Sequence, residues 1–241
     1  METRGKTKGL NQDVIKYFAA LTMFLNHFAH VFLAPGTILY EVFLDIGYFT
    51  AITMCYFLVE GFEYTHSRKK YGQRLLIFAL ISQIPYSLVL GIEQLNMLFT
   101  LLLCFFILII RDEEEWGAWR NVLIILILLF SIFSDWAVMA PIFTLMFVQW
   151  KDNKKKMVAA YGIAAVLFGL FNYLSYLSLY SMGKALLHAG FSVLGIAASG
   201  IVIIYFYNGQ RGQRGRKFSK WFFYIFYPAH IILLGLIRLC M

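Results

Sequence analysis

Long apolar runs separated by short polar segments make up most of this chain. A helix that crosses a bilayer needs about 20 mostly apolar residues. The pattern predicts an all-α fold, a polytopic transmembrane helical bundle of about nine spans, in a single integral-membrane domain over residues 1–241. The expected spans are 14–33, 38–62, 75–92, 95–110, 119–133, 137–150, 157–179, 185–207 and 221–239. The middle three are short, so 119–150 also fits a broken or re-entrant pair.

Basic residues alternate along the chain in a way that predicts orientation. Cytoplasmic loops of membrane proteins are enriched in Lys and Arg. With the N-terminus inside, almost every basic cluster falls in a cytoplasmic connection, whereas the opposite connections hold only Lys184, with Arg238 near the C-terminus. The cytoplasmic set is Arg4, Lys6, Lys8, Arg68, Lys69, Lys70, Arg74, Arg111, Arg120, Lys151, Lys154, Lys155, Lys156, Arg211, Arg214, Arg216, Lys217 and Lys220. We therefore expect a multi-pass protein of a bacterial cytoplasmic membrane, with lipid as its surroundings.

Composition supports a membrane protein and argues against nucleic-acid binding. The chain is 61% hydrophobic and 14% charged, against about 45–50% and 25% in soluble proteins. The net charge of +8 is dispersed in short clusters between apolar runs rather than gathered in a basic module. The three cysteines show no metal-binding spacing, so no metal is expected.

Polar residues inside apolar runs mark a candidate site. Asn26, His27 and His30 share one side of the first predicted span, and His230 lies inside the last. Ionisable groups in a bilayer are costly and usually functional. An imidazole there suits a general base or an acyl carrier, although a buried histidine can also simply hydrogen-bond between helices. Asp45, near the outer end of the second span, is expected close to the first-span histidines.

A second group lies where the second span ends on the cytoplasmic side. Glu60 is followed there by Arg68, Tyr71 and Arg74, and the two arginines suit a phosphate-binding site. An ordinary positive-inside loop is the alternative interpretation. Glu60 needs a partner or a purpose, because it is a carboxylate at the end of a span.

Two prolines fall inside predicted spans, each beside a polar residue. Pro85 follows Gln83, and Pro228 lies between Tyr227 and His230. A proline frees a backbone carbonyl, which a kink or cavity accommodates. Asp135 lies in a short turn, where a solvated side chain is expected.

Taken in order, several segments resemble the TraX family of polytopic membrane proteins, whose founding activity is acetylation of the N-terminus of conjugative pilin. The matching stretches are MFLNHFAHVF, FLVEGFEYTHSRKKYGQRLLIFALISQIPY, NMLFTLLL and FYIFYPAH. The second is the most specific, since Glu60-Gly61, Tyr71, Arg74 and Ser82-Gln83-Ile84-Pro85 fall in one register. Residues 111–215 resemble the family only in hydropathy.

The chain departs from the family pattern at three places. Asn26 replaces the usual acid before the first-span histidine, Gly47-Tyr48 stands for a usual Gly-Arg, and Ile52 for a usual proline. Asn26 can orient the His27 ring but cannot stabilise an imidazolium as a carboxylate does. Asp45 is a candidate substitute.

The resemblance, with a distant similarity to the acyltransferase-3 and heparan-α-glucosaminide acetyltransferase families, implies an acetyl-CoA-dependent membrane acetyltransferase. Acetyl-CoA would enter from the cytoplasm, and the acceptor would be an amine or hydroxyl at the outer face, such as a peptide N-terminus, a glycan or a small molecule. The implied catalytic residues are His27, Asn26 and His230. Those implied for the donor are Arg68, Tyr71, Arg74 and Gln83, and those for the substrate are Glu60, His30, Asp45 and Tyr227.

Two other functions fit the same residues. A proton-coupled transporter would use the histidines as a relay and would not consume acyl-CoA. A non-enzymatic membrane partner of a peptide-secretion or immunity system would tolerate replacement of the histidines.

Overall fold

The computed structural model describes residues 9–212 and 215–241, without the Arg216 side chain. Arg4, Lys6, Lys8 and Arg214, which enter the orientation argument, lie outside the described residues. Within the described ranges the chain forms nine α-helices and two isolated β-bridges. The helices are α1 Gln12–Phe32, α2 Ile38–Tyr64, α3 Arg68–Leu90, α4 Met97–Asp112, α5 Trp119–Phe130, α6 Met139–Trp150, α7 Lys154–Tyr176, α8 Met182–Ile201 and α9 Arg216–Cys240. A 3₁₀ turn extends α5 over Ser131–Phe133, and a π-helical turn extends α8 over Val202–Phe206.

Helix starts are set by short polar side chains. The side chains of Asn11, Thr37, Ser67 and Asn96 each accept a hydrogen bond from a backbone N–H in the first turn of the helix that follows. Such caps satisfy backbone donors that the helix leaves unpaired. The helix α3 ends at Gly91, whose φ of 69° is a left-handed conformation that glycine adopts without strain.

Contacts between helix ends show that successive helices run in opposite directions. At one end of the bundle Leu10 pairs with Tyr207, and Arg68 bonds Asp112 at 2.6 Å. At the other end Leu95 pairs with Ser134. Every clustered cation among the described residues belongs to the first end, which we call the basic end; the opposite one is the far end.

The helix α2 is the centre of the bundle. It packs against α1, α4, α6 and α8, while α3 and α9 pack together beside α1. More than half of its most apolar window is buried, the largest share among the candidate spans of the described residues. The remaining helices keep large apolar faces exposed, as lipid-facing helices do.

The number of helices agrees with the predicted number of segments, but their lengths differ. Five helical stretches are long and apolar enough to cross a membrane: Ile38–Tyr64, Arg68–Leu90, Lys154–Tyr176, Met182–Phe206 and Lys217–Leu239. Trp119–Phe133 and Met139–Trp150 are apolar but shorter. They form two separate short helices, and the re-entrant pair stays a prediction for this stretch.

Candidate functional site

Two of the predicted histidines meet inside the bundle. His27 Nδ1 lies 2.7 Å from His230 Nε2, and the two rings are coplanar within 1°. Both side chains are almost fully buried, with exposed fractions of 8% and 3%. The contact joins α1 to α9, and the two histidines are 203 residues apart in the sequence. His230 was predicted as the second ring in the same cavity; it contacts His27 but is not among the residues that line the cavity beside His27.

The hydrogen bonds of the pair determine where its protons lie. His230 Nδ1 is 2.6 Å from the Phe226 carbonyl, which can only accept, so this nitrogen carries the proton. In the neutral ring His230 Nε2 is then an acceptor, and His27 Nδ1 must donate to it. His27 Nε2 is left with a lone pair and makes no hydrogen bond to any described residue. That nitrogen is therefore available as a base or a nucleophile.

Packing on both sides holds the pair in place. The Phe226 ring stacks on His230 at a centroid distance of 4.7 Å. On the other side, α1 is fixed to α2 by a 2.7 Å hydrogen bond between the Thr22 and Thr50 hydroxyls. These contacts fix the orientation of both rings before any ligand is bound.

Asn26 was expected to orient His27, but it bonds elsewhere. Its Nδ2 donates to the Leu44 carbonyl at 3.2 Å, across to α2. The helices approach so closely there that a Cβ placed on Gly47 would lie 2.4 Å from the Asn26 Cβ. The ring is oriented by His230 instead, and Gly47 provides the space for Asn26.

His27 lines a cavity of about 470 Å³, which we call the histidine cavity. Its walls come from α1, α2, α3, α4 and α9 and include Asn26, His30 and Tyr227. The Tyr227 ring lies edge-on to His27 at 6.1 Å, and its buried hydroxyl has no acceptor among the described residues for its proton. His30 is also close to the Tyr40 hydroxyl, at 3.4 Å.

Asp135 and Trp136 also line the histidine cavity, which corrects the expectation of a solvated turn. The Thr100 hydroxyl donates to the Asp135 carbonyl at 2.5 Å, and the Asp135 N–H donates to the Leu95 carbonyl at 2.7 Å. These bonds fold the turn inward. Burial raises the pKa of the Asp135 carboxyl to about 6, although the Trp136 N–H acts in the opposite direction. Only the polar pair Ser134-Asp135 pointed to this turn in the sequence.

A second cavity of about 460 Å³ lies at the basic end, and we call it the basic cavity. Six cations and one carboxylate are among its described lining residues: Lys16, Lys70, Arg74, Arg211, Lys217, Lys220 and Asp13. Tyr71 and Gly61 line it too, as does His66. This excess of positive charge attracts a polyanion.

Four side chains line both cavities and form a neck between them: Lys16, Tyr71, Phe223 and Tyr224. The Lys16 ammonium lies 5.2 Å from the Phe57 ring centre and 5.8 Å from that of Phe223. A Cβ on Gly61 would lie 2.9 Å from the Tyr71 hydroxyl, so this glycine gives Tyr71 its place. Lys16 and Phe223 were missed because nothing in sequence spacing places α1 and α9 side by side.

Arg74 and Arg211 are the best-positioned cations of the basic cavity. Arg74 Nε is buried without a hydrogen-bond partner, and its guanidinium lies over the Tyr71 and Tyr224 rings at 5.5 and 5.8 Å. Arg211 Nε donates to Gln12 Oε1 at 2.9 Å. Neither guanidinium has a carboxylate within ion-pair distance among the described residues.

Glu60 fixes the segment that carries Arg211. Its carboxylate accepts hydrogen bonds from Gln12 Nε2 at 2.9 Å and from the Tyr207 hydroxyl at 2.7 Å. The Gln12 side chain also accepts a hydrogen bond from Arg211. The partner expected for Glu60 is therefore this network of hydrogen bonds. Glu60 lines neither the histidine cavity nor the basic cavity.

Three other predicted residues lie away from both cavities. Arg68 pairs with Asp112 and lies over the Phe62 ring. Gln83 Oε1 accepts from the backbone and side chain of Asn96, which fixes the start of α4. Asp45 Oδ1 is buried without a partner and does not reach the histidine pair.

No cluster of three or more His, Cys, Asp or Glu side chains able to hold a metal occurs in the described ranges.

Fold and site together define a class, a helical membrane protein with a buried histidine pair facing an internal cavity. The family model described as "TraX protein" matches residues 11–238, and the chain belongs to the TraX family. A similar protein from Dichelobacter nodosus is described as "Probable fimbrial assembly protein FimC, serogroup H1". It is 33% identical over 236 residues, which cover 91% of this chain and 92% of that protein. No solved structure matches the chain.

The proton positions in the histidine pair can be measured directly. We expect ¹⁵N spectra of the histidine-labelled protein near pH 7 to show His27 and His230 both as Nδ1–H tautomers, the form that the Phe226 carbonyl imposes. In His230→Ala, His27 loses its acceptor and the Nε2–H form should appear. If His27 is an Nε2–H tautomer in the unsubstituted protein, its cavity-facing nitrogen has no free lone pair.

Proposed function

We propose that this protein is a membrane acetyltransferase that moves an acetyl group from cytoplasmic acetyl-CoA to an amine or hydroxyl acceptor at the outer face. The observation that carries the proposal is the neck, where a polycationic cavity adjoins a cavity containing a histidine with a free ring nitrogen. Membership in a family associated with pilin acetylation supports the same reaction. The fimbrial assembly name of the relative suggests a fimbrial subunit as one acceptor.

The basic cavity suits the nucleotide end of CoA. That end carries a diphosphate and a 3′-phosphate, and Arg guanidinium groups form paired, charge-assisted hydrogen bonds with phosphate oxygens. Arg74 and Arg211 have unpaired charge available for this purpose. The narrow pantetheine arm would pass Tyr71 and Lys16 at the neck, which brings the thioester towards His27.

Transfer needs a base that faces the thioester. His27 Nε2 takes a proton from the acceptor while the acceptor N or O bonds to the acetyl carbonyl carbon. The C–S bond breaks, and the CoA thiolate leaves with the proton that His27 carried. His230 Nε2 accepts from His27 Nδ1 throughout and stabilises the imidazolium. The Tyr227 hydroxyl is suited to donate to the carbonyl oxygen as it becomes negative.

A second route uses His27 as an acyl carrier. Nε2 attacks the thioester carbon and the CoA thiolate leaves. The acceptor N or O then attacks the acetyl-imidazolium, its proton passes to the CoA thiolate, and neutral His27 is regenerated. Both routes need the same free nitrogen and differ in whether acetyl-His27 forms before the acceptor binds.

The orientation in the membrane follows from the location of the donor. Acetyl-CoA is a cytoplasmic metabolite, so the basic end would face the cytoplasm of a bacterium, with α1 beginning inside. The clustered cations at that end agree with the positive-inside rule. Inside-out membrane vesicles expose the cytoplasmic face, and they therefore test the orientation and the donor site in one measurement.

The donor site is tested by Arg74→Ala. We expect acetyl-CoA to bind saturably to inside-out vesicles but not to sealed right-side-out ones. The substitution should weaken that binding about 10- to 100-fold, since a charge-assisted hydrogen bond contributes about 1.5–3 kcal/mol. Lys69→Ala is the matched control, because Lys69 is a cation on the same helix that lines neither cavity.

Absence of acetyl-CoA binding by the unsubstituted protein would contradict the acetyltransferase proposal and would favour a transporter. Equal binding by Arg74→Ala and the unsubstituted protein would remove Arg74 from the donor site.

The chemistry is tested by His27→Ala. We expect acetyl transfer to fall about 10²- to 10⁴-fold, the usual contribution of a general base, with little change in acetyl-CoA affinity. His188→Ala, at the far end and outside the histidine cavity, should keep its turnover. Acetyl trapped on His27 in the absence of acceptor would identify the acyl-carrier route. Retained turnover in His27→Ala would show that the ring only holds α1 against α9.

A further inference from the structure

The histidine cavity contains an acidic group that neither the family resemblance nor the proposed transfer step uses. Asp135 is the one carboxylate among its described lining residues. No described cation lies within ion-pair distance of it. An unpaired carboxylate in a largely apolar cavity is costly, because it has lost water without gaining a counter-ion.

The turn that carries Asp135 is strained. Trp136 and Val138 have φ values of 55° and 59°, although neither is a glycine. Such conformations are unfavourable and persist only where the surroundings impose them, often at functional sites. Here three hydrogen bonds hold the turn in this conformation. The Val138 N–H donates to Ser131 Oγ at 2.9 Å, the Thr100 hydroxyl donates to the Asp135 carbonyl, and the Asp135 N–H donates to the Leu95 carbonyl.

The neighbours of this turn place Asp135 in the wall of the cavity that His27 also lines. Trp136 stacks on Phe168 at 4.9 Å and lies edge-on to Tyr48 at 5.9 Å, which closes the wall behind Asp135. Asp135 interacts electrostatically with Tyr86 and with Tyr227, and the Tyr227 ring lies against His27. The turn is at the far end, opposite the basic cavity, so an acceptor entering from the far end would meet Asp135.

We propose that Asp135 is the acceptor-binding residue of the acetyltransferase site: its carboxylate binds the ammonium group of an amine acceptor and receives that group's first proton. The inference rests on the proposed function and narrows its acceptor from an amine or hydroxyl to a cationic amine. A neutral hydroxyl would leave the carboxylate without a counter-charge, whereas an ammonium supplies both the charge and the hydrogen-bond donors.

Two proton-accepting side chains account for the protons that the amine loses. An ammonium must lose two protons to become an amide nitrogen. Asp135 receives the first, which leaves a neutral amine beside the thioester. His27 Nε2 receives the second as the N–C bond forms and the C–S bond breaks, and it returns that proton to the CoA thiolate. The proton on Asp135 passes to water, so the products are the acetamide, CoA thiol and one released proton.

The test compares two probes that differ in one group. One is a short apolar peptide amide with a free amino terminus, and the other carries a hydroxyl in place of that amine. Binding of each to the full-length purified protein is measured without acetyl-CoA, and acetyl transfer is then measured with it. Asp135→Asn keeps the size of the side chain and its ability to accept from the Trp136 N–H, so the turn should fold normally.

We expect the unsubstituted protein to bind the amine peptide more tightly than the hydroxyl peptide. Asp135→Asn should weaken amine binding about 10- to 100-fold, leave hydroxyl binding unchanged and keep acetyl-CoA affinity. Asp135→Glu should restore part of the preference for the amine. Glu93→Gln is the control, an exposed carboxylate at the far end that lines neither cavity.

The outcomes separate this inference from the proposed function. Amine binding that depends on Asp135 without any acetyl transfer would support the amine site and contradict the acetyltransferase. Acetyl transfer with the same amine affinity in Asp135→Asn would overturn the role of Asp135 and leave the acetyltransferase in place. No preference for the amine by the unsubstituted protein would also overturn the inference.

Discussion

The hydrogen bond between His27 and His230 is the interaction on which the site depends. Two imidazoles buried in an apolar bundle must satisfy their polar atoms, because an unpaired polar group away from water is costly. The Phe226 carbonyl accepts from His230 Nδ1, and this fixes both tautomers along the chain of hydrogen bonds from Phe226 to His27. The same contact that joins α1 to α9 therefore leaves one basic nitrogen facing the cavity. The pair therefore combines a structural role, which is to join α1 to α9, with a proposed chemical role, which is to supply the basic nitrogen.

The rest of the site follows from the arrangement of helices around that pair. Because α1 and α9 meet α3 beside it, Lys16, Tyr71 and Phe223 converge on one neck, with cations on one side and the histidines on the other. At the far end of the histidine cavity, the wall is formed by the strained turn that carries Asp135. The Thr100 hydroxyl of α4 holds this turn by a hydrogen bond. The basic cavity thus has an excess of cations, whereas the far end of the histidine cavity has the Asp135 carboxylate, and the proposed donor and acceptor sites rest on this difference in charge.

Much of the fold could be predicted from the sequence, because apolar runs and their polar interruptions report helices directly. The histidines and Arg74 could be identified as well, since charged or titratable groups near spans are rare. The contacts between them could not. Asn26 precedes His27 in sequence yet bonds Leu44, while the true partner, His230, is on the last helix. The solvated turn expected at Asp135 was wrong for a related reason, since hydrogen bonds from other helices fold it inward. The helices α2, α3 and α9 extend beyond the predicted apolar segments, because hydropathy does not report the polar turns at which a helix begins or ends.

The central claim is that one path leads from the basic cavity through the neck to His27. The most direct measurement is a structure of the protein with a thioether analogue of acetyl-CoA, which cannot transfer its acyl group. The claim predicts phosphates on Arg74 and Arg211, the pantetheine arm between Lys16 and Tyr71, and the acyl carbon in contact with His27 Nε2. An analogue bound outside the basic cavity, or one whose acyl end stays on the basic side of the neck, would contradict it.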